Sequence, residues 1–368
     1  VSVKIGILCY PTYGGSGVVA TELGLAMARR GCQVHFVNHL PPVRLKADDC
    51  SRVFFHEVSV PNYPLFPHPP WTMALTGRVI QVIKEYGLDL IHAHYAVPHS
   101  LVAVMARQIT GRVKVLTTLH GTDITLVGTQ PDFLEITRFA IENSDAVTAV
   151  SKALARESVE RFGLRCLVHT VYNFVDLEHY KRRDEGLRSV YAEPGELVLV
   201  HISNFRPVKR LVDVVEIFAR VRQKRPAVLI LAGDGPQRCA ALARARALGV
   251  AADVRFVGLQ QEIVPLLSAG DVFLLPSEKE SFGLAALEAM ACGVPVVGSD
   301  TGGLPEVVGN GGGILAPVGD TEAMAAAVLE IARDLPAWRA SCREQAQKFS
   351  ADIWVDKYQD LYRQVMES

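Results

Sequence analysis

Two acids and a lysine in the second half of the chain have the types and spacing to hold a phosphorylated sugar. Glu280 and Glu288 stand eight positions apart in PSEKESFGLAALEAMACGVPVVG, residues 276–298. If residues 281–283 form the start of a helix, its unpaired N–H groups and its dipole make a seat for a diphosphate. Glu288 on the same face then accepts hydrogen bonds from ribose hydroxyls, and Glu280, outside the N-terminus, meets hexose hydroxyls. A nucleotide sugar is the ligand that needs all three features. An amphipathic helix with an acid in its first turn would carry the same letters, so the neighbouring segments have to decide.

In Ser203-Asn204-Phe205-Arg206-Pro207-Val208-Lys209-Arg210, three cations within five residues follow an apolar run and open a helical one. At the carboxyl end of a strand such a set suits phosphate neutralisation; a solvated charged face is the alternative. Gly233-Asp234-Gly235-Pro236 repeats the arrangement after the next run, on the same rim. In the first half, Pro11-Thr-Tyr-Gly-Gly-Ser-Gly17 lies between a strand and a helix, where glycines let backbone approach a phosphate or carboxylate. It is not GxGxxG, and Asn38 and His39 stand where a dinucleotide site needs an acid, so that fingerprint fails. His92, His94 and His99 invite a metal reading, but the first two alternate on a strand and no carboxylate or cysteine lies near them in sequence. No metal site is expected. Tyr95, at the break before Pro98, is placed to offer its hydroxyl to a substrate. His120-Gly121-Thr122-Asp123 ends another strand in the same way, open to a structural or a functional role. Arg138 follows among Ile136, Phe139 and Ile141; turned inward it would need an anion, turned outward it would need nothing.

These residues require a frame of strand ends. Short apolar runs alternate with stretches of helical periodicity, as buried parallel strands alternate with crossover helices, so the fold class is α/β. Strands are expected at 3–8, 33–37, 88–91, 114–119, 146–150 and 167–171, with helices at 18–30, 72–86, 99–110, 131–143 and 152–162. A charged stretch over 177–196 reads as a linker. Beyond it, strands at 197–202, 228–232, 254–257, 272–275 and 294–297 are each followed by a helix. Two Rossmann-like domains result, over 1–180 and 181–350, with ligands expected beyond the carboxyl ends of the strands, in a cleft between the two. The tail 351–368 carries Trp354, Tyr358, Leu361, Tyr362 and Val365 at helical spacing and is expected to pack back on the first domain.

Length and charge narrow the partners. The 368 residues suit two domains of ordinary size. With 38 basic and 39 acidic residues there is no electrostatic footprint for nucleic acid. No apolar run approaches the roughly 20 residues needed to span a bilayer, so no membrane role is expected. Cys9, Cys32, Cys50, Cys166, Cys239, Cys292 and Cys342 are scattered and odd in number, as in a reduced, cytoplasmic chain. The start VSVKIGILCY breaks at Pro11 and is not read as a signal peptide.

Taken in order, these segments resemble the retaining glycosyltransferases of family 4, whose GT-B fold sets two Rossmann-like domains face to face. The likeness covers nearly the whole chain. Its specific part is the E-x7-E signature from Glu280 to Glu288 followed by Ala289-Met-Ala-Cys-Gly-Val-Pro295, with Lys209 in the family's basic position. CYPTYGGSGVVATELG from Cys9, IHAHYAVPH from Ile91, TTLHGTDIT from Thr117, RFAIENSDAVTAVS from Arg138, YNFVD from Tyr172 and SNFRPVKR from Ser203 are similar to the branch that uses UDP-N-acetylglucosamine and L-malate and opens bacillithiol biosynthesis. The resemblance implies that Lys209, with Asn204 or Arg206, binds the diphosphate, Glu288 the ribose and Glu280 the hexose. Amides of Gly15 and of Ser281, Phe282, Gly283 and Leu284 would complete the donor site. Ser16, Tyr95, Thr118 and Arg138 would hold malate, and His120 would stand near the reacting sugar. Lys209, Glu280 and His120 form the implied catalytic set, with no cofactor and no metal. The family usually has arginine five residues before the lysine; here Asn204 holds that place and Arg206 lies three before, which leaves both open. Two competing readings remain, a UDP-N-acetylglucosamine 2-epimerase and a family 4 enzyme with another small acceptor such as inositol phosphate. A homodimer is left open.

Overall fold

The structure, a computed structural model, describes residues 3–12, 14–45, 51–60, 68–183 and 186–368. Tyr13 of the first glycine loop, Cys50, and Asp184 and Glu185 of the expected linker lie outside the described residues, as do Val1 and Ser2. The chain divides into two compact units, one of Val1–Tyr172 with Asp352–Ser368 and one of Asn173–Ala351.

In the first unit, strands β1 (Lys4–Leu8), β2 (Gln33–Asn38), β3 (Val53–Glu57), β4 (Leu90–His94), β5 (Lys114–Leu119), β6 (Ala146–Ala149) and β7 (Val168–Thr170) form one parallel sheet. Its order is β3-β2-β1-β4-β5-β6-β7, so the direction of winding reverses between β1 and β4. The second unit has β8 (Leu197–Ile202), β9 (Ala227–Ala232), β10 (Val254–Gly258), β11 (Val272–Leu275), β12 (Val296–Ser299) and β13 (Gly313–Ala316), ordered β10-β9-β8-β11-β12-β13. Its switch point lies between β8 and β11. Both are Rossmann-like sheets, and ligands of such sheets bind at the carboxyl edge near the switch.

The central strands are apolar on both faces because helices cover both. Ala227–Ala232, AVLILA, is buried throughout, and it packs with Leu211, Val214, Val215 and Phe218 of the helix Leu211–Arg222 in one continuous core. Two strands escaped the sequence reading. VFFHE of β3 is a short edge strand with one outward acid, and GILA of β13 sits in a run of glycines with only Ile314 to signal a strand.

The unit boundary falls at 172/173 rather than at 180/181. Val175 is bonded into the second unit, its N–H donating to Phe349 O at 3.0 Å and its carbonyl accepting from Ala351 N at 3.0 Å. Arg343 Nη2 holds Leu177 O at 2.9 Å. The stretch 177–196 is therefore an ordered strap in its described part rather than a free linker, and it contains the helix Leu187–Tyr191.

The C-terminal helix Ala351–Glu367 returns to the first unit from Asp352 onward, burying Val355, Tyr358, Leu361, Tyr362 and Val365. Arg30 pairs with Asp356 at 2.5 Å and donates to Gln359 at 3.0 Å, and Trp354 stands edge-on to Tyr172. Tyr358 and Tyr362 bring hydroxyls into the interior, where each finds a partner described below.

Candidate functional site

The candidate donor residues gather at the carboxyl edge of β8, β9 and β11. Beyond β8 the turn is built on His201. Its Nδ1 lies 2.8 Å from Leu274 O and its Nε2 2.8 Å from Ser203 Oγ. Burial pushes its pKa down to about 4, so the ring is neutral; Nδ1 carries the proton, and Nε2 accepts from Ser203. Ser203 Oγ in turn accepts from Phe205 N at 3.2 Å. The loop 233–235 lies directly against this turn: a Cβ on Gly233 would stand 1.8 Å from Ser203 O, so only glycine fits.

Phe205 (φ 40°) and Arg210 (φ 50°) both adopt the left-handed region that bulky residues avoid, and between them Pro207–Lys209 makes a single 3₁₀ turn. With Tyr95 at φ 86°, three of the five such non-glycine residues among those described lie at candidate site positions. Strain of this kind persists where surrounding structure fixes it, and it concentrates at functional loops.

Glu278 N donates to Val208 O at 2.8 Å and Gly303 N to Glu280 O at 2.8 Å, so the loop after β11 is pinned to the lysine turn. Lys209 Nζ then lies 2.5 Å from Glu280 Oε1, and Ser277 Oγ donates to the same oxygen at 2.8 Å. Glu280 is 8 % exposed, and its Oε2 has no protein partner among the described residues. The pairing aims a half-buried ammonium; the remaining carboxylate oxygen is an acceptor suited to sugar hydroxyls.

The helix begins at Leu284 rather than at 281–283. Gly283, at φ 96°, is its left-handed N-cap, a conformation that a Cβ would strain. The first-turn amides that can seat an anion are therefore those of Leu284, Ala285 and Ala286, and of the expected run 281–284 only Leu284 belongs to them. Ser281 lies in the bend before the helix. Phe282 is 3 % exposed, its ring edge-on to Phe349, so its side chain anchors the loop. Further along the helix, Glu288 is buried and its Oε1 accepts from Tyr180 OH at 2.7 Å. Of the three cations read together in sequence, Arg210 is taken by Asp213 at 2.7 Å. Asn204 and Arg206 are both exposed, and Arg206 has no side-chain partner among the described residues.

The first unit carries the other set. The helix Gly15–Arg29 starts from Gly14, which accepts from Gly17 N and Val18 N, leaving the Gly15 and Ser16 amides at its head. Tyr95 follows β4 with its hydroxyl near the side chains of Ser16 and Thr122, and burial pushes its pKa up to about 12, so it is a neutral phenol. Its ring lies 5.2 Å from that of His120. Ser16, Tyr95 and His120 are thus brought together. Thr118 is not available to a ligand. It is fully buried, its hydroxyl 2.7 Å from His92 Nε2 and from Thr148 Oγ1 and 3.3 Å from Tyr358 OH. Strand alternation sends this side chain inward, so its contribution is to support the wall behind Tyr95, whose N–H donates to Thr118 O at 2.9 Å. Arg138 is half-buried on the helix Pro131–Glu142 and pairs loosely with Glu142 at 3.7 Å; it makes no bond to Ser16, Tyr95 or His120.

Behind these groups runs a chain of imidazoles. His120 Nε2 lies 2.9 Å from His94 Nδ1, the His94 and His92 rings stack at 4.2 Å, and His92 Nδ1 reaches Tyr362 OH at 2.7 Å. Burial pushes His92 and His120 down to about 3 and His94 well below its ordinary value, so all are neutral at pH 7. Asp123 braces the loops on either side, accepting from Ala96 N, Gly121 N and His120 N; burial raises its pKa to about 6. Asp123, Ser277 and Tyr180 were missed from sequence. Asp123 had a local signal in HGTD, whereas Tyr180 lies 108 residues from Glu288 and had none.

Residues 13–179 match the model of Glycosyltransferase Family 4, and residues 196–334 that of Glycosyl transferases group 1. The chain is 44% identical over 371 residues to N-acetyl-alpha-D-glucosaminyl L-malate synthase of Bacillus anthracis, covering 99% of this chain and 97% of that one. It is 29% identical over 403 residues to D-inositol 3-phosphate glycosyltransferase of Saccharomonospora viridis, covering 96% and 90%. Among solved structures, sucrose-phosphate synthase from Thermosynechococcus elongatus superposes with TM-score 0.79 at 24% identity over 99% of both chains. Anabaena HepE in complex with UDP does so with TM-score 0.81 at 22% identity, over 98% of this chain and all of the other. The full-length relative and the two family matches establish that this chain belongs to the family 4 glycosyltransferases.

Proposed function

We propose that the protein transfers N-acetylglucosamine from UDP-N-acetylglucosamine to the hydroxyl of L-malate, with retention of configuration and without a metal ion. The observation that carries the reading is the 44% identity over 99% of the chain to the Bacillus anthracis malate synthase. The geometry supports the chemistry. As the bond from the sugar to UDP breaks, negative charge grows on the diphosphate, and Lys209 with the first-turn amides of the helix Leu284–Ala291 supplies a fixed positive field for it. Glu280 Oε2 accepts from hexose hydroxyls, and Glu288, oriented by Tyr180, from the ribose.

In this reading Ser16 and Tyr95 hold malate with Arg138, whose second carboxylate contact replaces its loose pairing to Glu142. A diphosphate oxygen takes the proton from the malate hydroxyl on the face that the leaving group departs. The new bond forms on that face, and the α configuration is kept. No carboxylate has to attack the anomeric carbon.

The test is UDP release from UDP-N-acetylglucosamine with a panel of hydroxy acids and inositol phosphates. Malate should be the preferred acceptor. Preference for inositol 3-phosphate, which the 29% identical Saccharomonospora relative favours, would replace malate but keep the transfer. Conversion of the donor with no acceptor present would instead mean an epimerase.

A further inference from the structure

The sheet β8–β13 has a second polar basin at its amino-terminal edge, the end opposite to Lys209 and Glu280. Its volume is about 340 Å³, and Arg182, Arg188, Arg225 and Arg339 line it with Asp271 and Glu196. Four guanidinium groups face two carboxylates, an excess of two positive charges among the described residues.

The carboxylate at its base is fully engaged. Asp271 is 2 % exposed; its Oδ2 accepts from Val198 N and Arg188 Nη2, both at 2.9 Å, and its Oδ1 from Arg339 Nη2 at 2.6 Å. Arg188 also donates to Ala269 O at 2.9 Å and Glu196 O at 2.7 Å. The other guanidinium groups are under-supplied with acceptors. Arg182 has one long bond, 3.2 Å to Gly270 O. Arg225 has no side-chain partner among the described residues, and Arg339 Nε is buried with none. Burial and the fields of Arg339 and Arg188 pull the Arg182 pKa down, and Asp271 offsets them only in part. Arg182 is exposed and Arg188, Arg225 and Arg339 are partly buried, so four like charges drawn together with donors unpaired repel one another until an anion completes the set.

We propose that this basin binds a small phosphate-type dianion, such as a phosphate monoester, through Arg182, Arg225 and Arg339. Two surplus positive charges match a dianion, and the planar fork of arginine pairs with two phosphate oxygens at once. The volume falls within the range of small-ligand sites. The site is separate from glycosyl transfer, since the whole of β11 lies between Asp271 and the loop that bears Ser277 and Glu280.

The experiment is calorimetric titration of inorganic phosphate into the protein saturated with UDP, so that the donor seat is filled and UDP binding itself reports on the donor assignment. One saturable phosphate site is expected. Arg225→Gln should weaken it at least tenfold while leaving UDP affinity and the phosphate-free melting temperature unchanged, because Arg225 has no structural bond to lose. Arg182→Gln should weaken phosphate likewise and not lower that melting temperature, because it removes a repelled cation. Absence of saturable phosphate binding in the UDP complex would overturn the proposal. So would wild-type phosphate affinity in both variants, or tighter binding of malonate than of phosphate.

Discussion

Replacing Tyr180 by phenylalanine tests the donor site at the contact that sequence reasoning did not anticipate. The ring stays, and the 2.7 Å bond from its hydroxyl to Glu288 Oε1 is lost. Both partners are almost buried, Tyr180 at 2 % and Glu288 at 7 % exposure, so water replaces the donor poorly. A hydrogen bond to a charged group contributes about 1.5 to 3 kcal/mol. Part of that is recovered by relaxation of the carboxylate, which leaves about 1.4 to 2.7 kcal/mol, a ten- to hundredfold weaker UDP complex. The assay is calorimetry of UDP and of 2′-deoxy-UDP on wild type and Tyr180→Phe. If Tyr180 acts by aiming Glu288 at the ribose, the loss with UDP should shrink by several fold when the 2′-hydroxyl is absent, the coupling a double-mutant cycle reads. Unchanged UDP affinity, or an equal loss for both nucleotides, would refute the reasoning and make the contact purely structural.

Glu288→Ala should weaken UDP further than Tyr180→Phe does, by calorimetry without acceptor. Arg138→Ala should raise the KM for malate tenfold or more and leave that for the UDP-sugar within about twofold; equal effects would remove Arg138 from the acceptor set. Lys209→Ala should lower kcat by about a hundred- to a thousandfold with the fold intact, and wild-type activity should persist in excess EDTA; magnesium-dependent rescue after EDTA would disprove the metal-free reading. Stability should fall on acidification. His35, His56, His92, His94, His99, His120 and His201 are shifted by burial to pKa values below the ordinary 6.5, so the unfolded chain binds more protons than the native one below that pH. Their stabilisation is complete above about pH 6.5 and is lost progressively toward pH 4, each unit of depression being worth about 1.4 kcal/mol. Asp123, raised to about 6, acts in the opposite direction between its ordinary value and pH 6 but is one group against seven. Urea midpoints that do not move between pH 7.5 and 5 would contradict this.

What could be read in the sequence was set by distance along the chain. Central strands such as β9 (AVLILA) and β11 (VFLL) are uninterrupted apolar runs because helices cover both faces of each sheet, and such runs are local signals; β3 and β13, at sheet edges, have shorter ones. The two glutamates and Lys209 were legible for a similar reason, since each lies in the loop or first helix that follows a strand and the Rossmann-like topology turns such connections toward a ligand. The start of the donor helix was misplaced because Gly283 reads equally well as an interior residue or a cap until its φ of 96° is known. Thr118 was assigned to a ligand because its segment fits the family, yet alternation along β5 turns it toward His92 and Tyr358, and the C-terminal helix that closes that wall comes 240 residues later. The partnerships that tune the site, Tyr180 to Glu288 and Tyr362 to His92, join residues 108 and 270 positions apart. No periodicity or spacing encodes such a pair. A sequence of this kind therefore announces which groups can do chemistry well before it reveals which neighbours hold them still, and the second set is where substitutions separate orientation from contact.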